Sequence, residues 1–145
     1  MKPTLTVITL GVRDFPASVR FYQALGFERR VRATGDQVAF FDAGGVVLAL
    51  YHWHLLAEDA RLVAADPPPP GFRGTTLAWN CASATDVDAA MARALGAGAA
   101  LLKPAQNTPW GGYAGYFADP DGHPWEVVHA PMFTLDADGR LALPP

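Results

Sequence analysis

The chain has 145 residues, half of them hydrophobic and 17% charged, with a formal net charge of −3. This composition is typical of a globular domain and excludes a disordered chain. The slight negative charge and the absence of a basic cluster disfavour nucleic-acid binding, because binding to phosphates needs grouped Lys and Arg. The length suits one domain or two small modules.

The single cysteine, Cys81, excludes an intramolecular disulfide and fits a reducing compartment. The apolar run near the N-terminus is too short to cross a membrane, and no cleavage signature follows it. We therefore expect a cytoplasmic protein that neither enters membranes nor carries a targeting segment.

The first half of the chain is predicted to contain a strand, a helix and three short strands. The segment "TVITLGV" predicts the first strand, and Asp14 can cap the helix that follows it. Gly26 can end that helix in the left-handed conformation. The segments "FERRVRA", "QVAFFDA" and "VVLALYHW" predict the three strands, and "DAGG" predicts the last turn.

The same order of elements recurs in the second half. The segment "TTLAWN" predicts a strand, Ser83 or Thr85 can begin a helix, and Gly96 can end it. The segments "AALLKPA", "GYAGYFAD" and "PWEVVHA" predict three more strands, with "DPDG" as the last turn. The first βαβββ module is predicted at residues 1–66, a proline-rich linker at 67–74 and the second βαβββ module at 75–131. Residues 132–145 are predicted to form a C-terminal tail that packs over the module or a partner.

This repeat, with "LGVRDFPASVRFYQALGF" and "GYFADPDGHPWEV", resembles the vicinal oxygen chelate superfamily over about residues 5–130. That superfamily includes glyoxalase I, bleomycin-resistance proteins and extradiol dioxygenases. The resemblance implies an α+β fold in which tandem βαβββ modules form curled sheets around a cavity. It also implies a homodimer.

The resemblance further implies four inward metal ligands, usually His, Gln or Glu, on the first and last strands of each module. Carried over residue by residue, the positions are Val7, Ala49, Thr76 (Thr75 if the alignment shifts by one) and Glu126. Val and Ala cannot coordinate a metal, and Thr is a poor ligand for zinc, nickel or iron. We therefore expect a degenerate metal site with no metal and no cofactor, which disfavours glyoxalase I activity and iron-dependent ring cleavage.

The histidines are not expected to restore that site. Alternation along the fourth strand would turn Tyr51 and Trp53 inward, on the side of Ala49, and would turn His52 and His54 outward. His123 is assigned to the DPDG turn, and His129 is expected on the face of the sheet opposite to Glu126.

With these positions apolar or small, the cavity is predicted to be a small-molecule pocket lined by aromatic and polar side chains. The predicted ligand-binding residues are Tyr51, Trp53, Thr76, Asn80, Trp110, Tyr113 and Glu126. Tyr116 is a further candidate, and Gly111 and Gly112 would let Trp110 act as a lid. The alternative is that these aromatic side chains only fill the core.

Glu126 has three possible roles in such a pocket: recognition of a ligand, general-base catalysis, or a structural hydrogen bond to Thr76, Asn80 or a backbone amide. The leading hypothesis is a metal-free binding protein that sequesters a small, partly aromatic molecule. A second hypothesis is a lyase, isomerase or dioxygenase-like enzyme that uses Glu126 as base or as ligand of a displaced metal. A third is a structural or regulatory subunit without a ligand. The sequence does not identify the ligand or decide whether catalysis occurs.

Overall fold

A computed structural model describes residues 1–144 of the chain. Two compact units are present, the first spanning Met1–Gly74 and the second running from Thr75 onward. Each unit contains one four-stranded sheet and a helix on one face of it. The predicted α+β fold of tandem βαβββ modules is therefore confirmed, while the finer division into modules, linker and tail stays a prediction. None of the helices within residues 1–144 has the length and apolar character needed to cross a membrane.

The first unit follows the predicted order with one additional helix. Its elements are β1 (Val7–Val12), α1 (Phe15–Leu25), β2 (Glu28–Arg30), a 3-10 turn (Arg32–Thr34), β3 (Val38–Asp42), β4 (Val47–His52) and α2 (Trp53–Asp59). The sheet order is β1-β4-β3-β2, with β1 parallel to β4 and the other pairs antiparallel. Helix α1 packs on one face, where the fully buried rings of Tyr22 and Phe41 lie 6.1 Å apart.

The ends of α1 are those predicted from the sequence. Asp14 Oδ1 accepts a hydrogen bond from the Ala17 amide at 3.0 Å, which satisfies one of the free donors in the first turn. Gly26 has φ 104°, and its N–H donates to the Gln23 carbonyl at 3.0 Å. A left-handed residue here suits glycine, which has no Cβ to clash.

Helix α2 corrects the predicted end of the fourth strand. The sequence predicts that the strand includes Trp53, whereas β4 ends at His52 and Trp53 begins a seven-residue helix. The segment "WHLLAED" contains no glycine or proline and is rich in Leu, Ala and Glu, which favour helix. Alternation along the strand therefore does not decide the direction of Trp53.

The second unit repeats this path and adds a small hairpin. Its elements are β5 (Leu77–Asn80), α3 (Ala84–Gly96), β6 (Ala100–Asn107), β7 (Tyr113–Ala118), β8 (Pro124–His129), β9 (Thr134–Leu135) and β10 (Leu141–Ala142). The main sheet has the order β5-β8-β7-β6, with β5 parallel to β8. Strands β9 and β10 pair with each other in the C-terminal segment.

Helix α3 begins as predicted, but the left-handed glycine at its end is two residues later than predicted. Ser83 Oγ accepts from the Asp86 amide at 3.1 Å, so Ser83 is the cap and Thr85 lies inside the helix. Gly96 is helical, and the left-handed residue is Gly98, with φ 103°. The sequence "GAG" offers two glycines, and the helix continues through the first of them.

Candidate functional site

Each main sheet has a face opposite its helix, here called the distal face. In the second unit, α3 covers the other face, since the Met91 Cε atom would lie 3.1 Å from a Cβ atom placed at Gly115. Gly115 pairs with Val127, whereas Glu126 and Tyr116 pair with each other and point the opposite way. Glu126 and Tyr116 therefore lie side by side on the distal face.

Tyr116 and Glu126 are cross-strand partners, and their polar groups are close enough to interact. Both side chains are half-buried. Burial raises the pKa of Tyr116, and hydrogen bonding to Glu126 and its negative charge raise it further. The phenol therefore stays neutral near neutral pH and can donate to the Glu126 carboxylate. Tyr116 is thus a neighbour of Glu126 that was not among the structural partners considered from the sequence, and the role of Glu126 stays a prediction.

Strand register extends this pair into a polar row across the second sheet. Ala78 pairs with Glu126 on one side, and Lys103 pairs with Tyr116 on the other. The adjacent row contains Asn80 and Gln106, so the distal face carries a carboxylate, a phenol, an ammonium and two amides. These groups can both accept and donate hydrogen bonds to a ligand.

Tyr116 pairs with Glu126 because strands β7 and β8 are joined by the DPDG turn, with Ala118 opposite Pro124. Counting back from that turn could have placed this pair from the sequence. Lys103 could not be placed in this way, because β6 carries register shifts on either side of it.

Two other predicted residues of the second unit are Tyr113 and Thr76. Tyr113 is on the face that carries α3, and its hydroxyl donates to Asp88 of that helix at 2.8 Å. This hydrogen bond is the main reason that the pKa of Tyr113 is raised. Tyr113 has the opposite strand parity to Tyr116, and its predicted ligand-binding role stays a prediction. Thr76 precedes β5 and is exposed.

Trp110 lies in the loop before β7 and is 49% exposed. Its ring packs directly on Gly112, where any Cβ atom would clash with it. Two hydrogen bonds between Thr108 and Gly112 close the loop, each at 2.9 Å. The Thr108 amide donates to the Gly112 carbonyl, and the Gly112 amide donates to Thr108 Oγ1. A role for Trp110 as a lid stays a prediction.

In the first unit, Trp53 is held by its own neighbours. A Cβ atom at Gly11 would lie 3.0 Å from the Trp53 ring, so the indole packs closely on β1. Its Nε1 donates to the Ala65 carbonyl at 3.1 Å, and the Arg73 guanidinium lies 5.5 Å from the ring centre. Tyr51 lies on the distal face with Ala49, and a ligand-binding role for either aromatic residue stays a prediction.

The four histidines are tied to structural partners and do not join Glu126. His52 stacks on Phe15 of α1 at 5.0 Å, and its Nε2 lies 2.7 Å from the Asp36 carbonyl. The exposed His54 pairs with Asp66 at 3.3 Å. The backbone amide of His123 donates to Asp119 Oδ1 at 2.8 Å. The Nδ1 atom of His129 lies 3.2 Å from the Cys81 carbonyl.

The donor set at the four carried-over positions does not fit a divalent metal. Val7 and Ala49 offer only hydrocarbon, which leaves Thr76 and one carboxylate. Strand register supports the alignment, because Val7 lies two residues before the partner of Ala49 and Thr76 lies two residues before the partner of Glu126. Among residues 1–144, no group of three or more His, Cys, Asp or Glu side chains is placed to hold a metal ion.

Cys81 is a buried thiol at the end of β5. Burial, followed by the negative charge of Asp86, raises its pKa to about 11. The side chain is therefore a thiol near neutral pH, and it does not have the thiolate character of a catalytic nucleophile.

Paired βαβββ units with this register define a class of proteins, and comparison with known families places the chain within it. Residues 4–127 match the model of the Glyoxalase/Bleomycin resistance protein/Dioxygenase superfamily, and the chain belongs to that superfamily. This confirms the resemblance seen in the sequence motifs. No curated protein matches the sequence.

Solved structures agree with this assignment. The chain is 37% identical to a glyoxalase-related enzyme from Fulvimarina pelagi, over 98% of this chain and 99% of that one, with a TM-score of 0.86. A glyoxalase/bleomycin resistance protein/dioxygenase from Nocardioides is 32% identical over 89% of this chain and 84% of that one, with a TM-score of 0.71. A family enzyme from Burkholderia phytofirmans PsJN, 22% identical over 88% of this chain and 98% of that one, shares the fold with a TM-score of 0.75.

Proposed function

We propose that this protein binds a small, partly aromatic molecule without a metal, on the distal face of its second sheet, and thereby sequesters it. The observation that carries the proposal is the half-buried Glu126–Tyr116 pair on that face. A carboxylate has two oxygens, so Glu126 can accept from Tyr116 and from a ligand donor at the same time.

The neighbouring residues indicate the kind of ligand. The Tyr116 ring offers a flat surface on which an aromatic group can stack. Asn80 and Gln106 can donate to and accept from polar edges of the ligand. We therefore expect a planar molecule that carries an amine or hydroxyl group able to donate to Glu126.

Calorimetric titration with bleomycin and with ethidium, one a cationic antibiotic and the other a planar cation, tests this function. We expect Glu126→Gln to weaken binding of the better ligand by about 10-fold or more, because a hydrogen bond to a charged group is lost. Glu58→Gln, a change of an exposed carboxylate on α2, is the matched control and should leave binding unchanged. Equal affinity of wild type and Glu126→Gln would contradict the proposal.

A lyase or isomerase activity with Glu126 as general base is the second candidate. Two observations favour it: Glu126 lies beside Tyr116, and the relative from Fulvimarina pelagi is described as an enzyme. For any turnover that is found, Glu126→Gln should lower kcat by about 10²–10⁴-fold if Glu126 transfers a proton. An unchanged kcat with weaker binding would favour the binding role. Elemental analysis of the protein would detect a metal at a displaced site, which is the remaining alternative.

We also propose that the chain forms a homodimer in the cytoplasm. The superfamily resemblance supports the homodimer. The single, buried cysteine supports a reducing compartment such as the cytoplasm. Light scattering coupled to gel filtration should give twice the monomer mass of 15.5 kDa. A monomer at micromolar concentration would contradict it.

A further inference from the structure

The C-terminal hairpin of β9 and β10 stands over a groove at the edge of the second sheet. Strand β5 is an edge strand, and the groove runs from its end along the first turns of α3. It has two adjoining parts, of about 290 Å³ and about 520 Å³. Both parts share four lining residues, which are Asn80, Cys81, Ala82 and Leu135.

The hairpin leaves this groove unfilled although it carries apolar side chains. Phe133 and Leu141 line the smaller part, yet they remain 37% and 40% exposed. A hairpin with two-residue strands gains little stability from its own pairing. A molecule seated in the groove would cover these side chains and hold the hairpin against the unit.

The larger part of the groove combines an aromatic wall with negative charge. Trp79 lines it together with Ala89 and Ala90 of α3, and the acidic residues Asp86 and Asp136 also belong to its lining. An indole face and carboxylates both attract an organic cation. The volume of this part lies within the usual range of small-molecule pockets, roughly 300–1,000 Å³.

Both carboxylates are fixed by hydrogen bonds to one of their oxygens. Ser83 Oγ donates to Asp86 Oδ2 at 2.7 Å. Asp136 Oδ1 accepts from the amides of Asp138 and Arg140, at 2.9 Å and 2.8 Å. The acidic side of the groove is therefore positioned before a ligand arrives.

We propose that this groove is a second binding site for a small organic cation with an apolar body, and that it shares only Asn80 with the residues assigned to the distal face. The ammonium group lies against Trp79 between the two carboxylates, and the apolar body lies beneath the hairpin. In this arrangement the volume of the groove and the Trp79 side chain accommodate the ligand. The two carboxylates favour a positively charged ligand over a negatively charged one.

Titration of the full chain with benzyltrimethylammonium chloride, followed by amide NMR shifts, tests this site. We expect saturable shifts at Cys81, Ala82 and Leu135, which line the groove. Phenylacetate, an anion of similar size, should give no saturable shift. Each of Asp86→Asn and Asp136→Asn should weaken binding by about 3-fold, because an exposed charge contributes little and the amide keeps the local hydrogen bonds.

Two further variants make the test specific. Ala89→Phe fills the larger part of the groove and should abolish binding, whereas Ala92→Phe, at an exposed position of the same helix outside the groove, should not. Glu126→Gln should leave this binding unchanged, which separates it from the proposed function. Binding of phenylacetate with equal affinity, shifts centred on Tyr116, or full binding by Ala89→Phe would overturn the proposal.

Discussion

The two units follow the same chain path, yet their distal faces carry different chemistry. At equivalent places in the two sheets, Ala49 and Phe40 pair in the first unit, and Glu126 and Tyr116 pair in the second. The second pair differs from the first by a carboxylate and by the hydroxyl of its cross-strand partner. The distal face can therefore change from apolar to polar without a change of fold.

The opposite faces, which carry the helices, explain why the fold is retained. Phe41 and Phe117 occupy equivalent places and are fully buried. The neighbouring places on the last strands are also apolar and buried in both units, at Leu48 and Leu50 in the first and at Trp125 and Val127 in the second. Burial of these side chains against one helix stabilises each unit, so the two distal faces can diverge.

Removal of an equivalent core ring should produce the largest effect in both units. We expect Phe41→Ala and Phe117→Ala each to lower the free energy of unfolding by about 3–5 kcal/mol, because each leaves a cavity in a closed core. Urea denaturation measures this change, and Leu101→Ala, at a half-exposed position in β6, serves as the control. If only one of the two variants lost less than about 1 kcal/mol, the two cores would not be equivalent.

Transfer of the carboxylate from one unit to the other tests the difference directly. Ala49 is 1% exposed and Phe40 beside it offers no hydroxyl, so Ala49→Glu buries a charge without the tyrosine that Glu126 has beside it. We expect Ala49→Glu to lower the free energy of unfolding by about 3 kcal/mol. Adding Phe40→Tyr should restore about 1 kcal/mol through the new hydrogen bond. If Phe40→Tyr restored nothing, the Tyr–Glu pair would depend on more than strand register.

Most of the fold could be predicted from the sequence, because the patterns that indicate it are local. Helix caps, turns and alternating apolar residues recur at matching places in both halves, and the resulting pattern is hard to produce by chance. Errors arose where local rules allow two outcomes. Trp53 can extend a strand or begin a helix, and "GAG" allows a helix to end at either glycine.

The candidate site was less predictable, since it depends on which strands pair and in what register. Glu126 could be recognised from its motif alone. Its partner Tyr116 lies across the hairpin, and Tyr113, only three residues away, faces α3. Strand parity separates these two tyrosines, but parity can be assigned only when the strand ends are known.

The two helix-terminal glycines should respond to the same substitution with opposite signs. Gly26 is left-handed, so Gly26→Ala should lower the free energy of unfolding by about 1–2 kcal/mol. Gly96 is helical with open space around a new Cβ atom, so Gly96→Ala should raise it by up to about 1 kcal/mol. Thermal unfolding of both variants compares them. A loss of stability in Gly96→Ala would indicate that Gly96 is the left-handed residue, as the sequence predicted.

Tyr116 has a titratable hydroxyl and Phe40 has none, so only Tyr116 makes a contribution to stability that depends on pH. We expect this to be the smallest effect. Burial raises the folded-state pKa of Tyr116 above the value near 10 of an unfolded tyrosine, and the interaction with Glu126 raises it further. The neutral phenol is favoured in the folded state. Its contribution to stability is therefore complete below about pH 10 and decreases as the pH rises through the folded-state pKa.

Ultraviolet titration of tyrosinate absorbance, with Tyr116→Phe as the reference, isolates this group. In Glu126→Gln the negative charge is absent, so the pKa of Tyr116 should fall towards its ordinary value while the part due to burial remains. The stability of Tyr116→Phe should also decrease less than that of wild type above pH 10. A Tyr116 titration identical in wild type and Glu126→Gln would mean that burial alone raises the pKa. The second sheet would then differ from the first by two independent side chains rather than by a coupled pair.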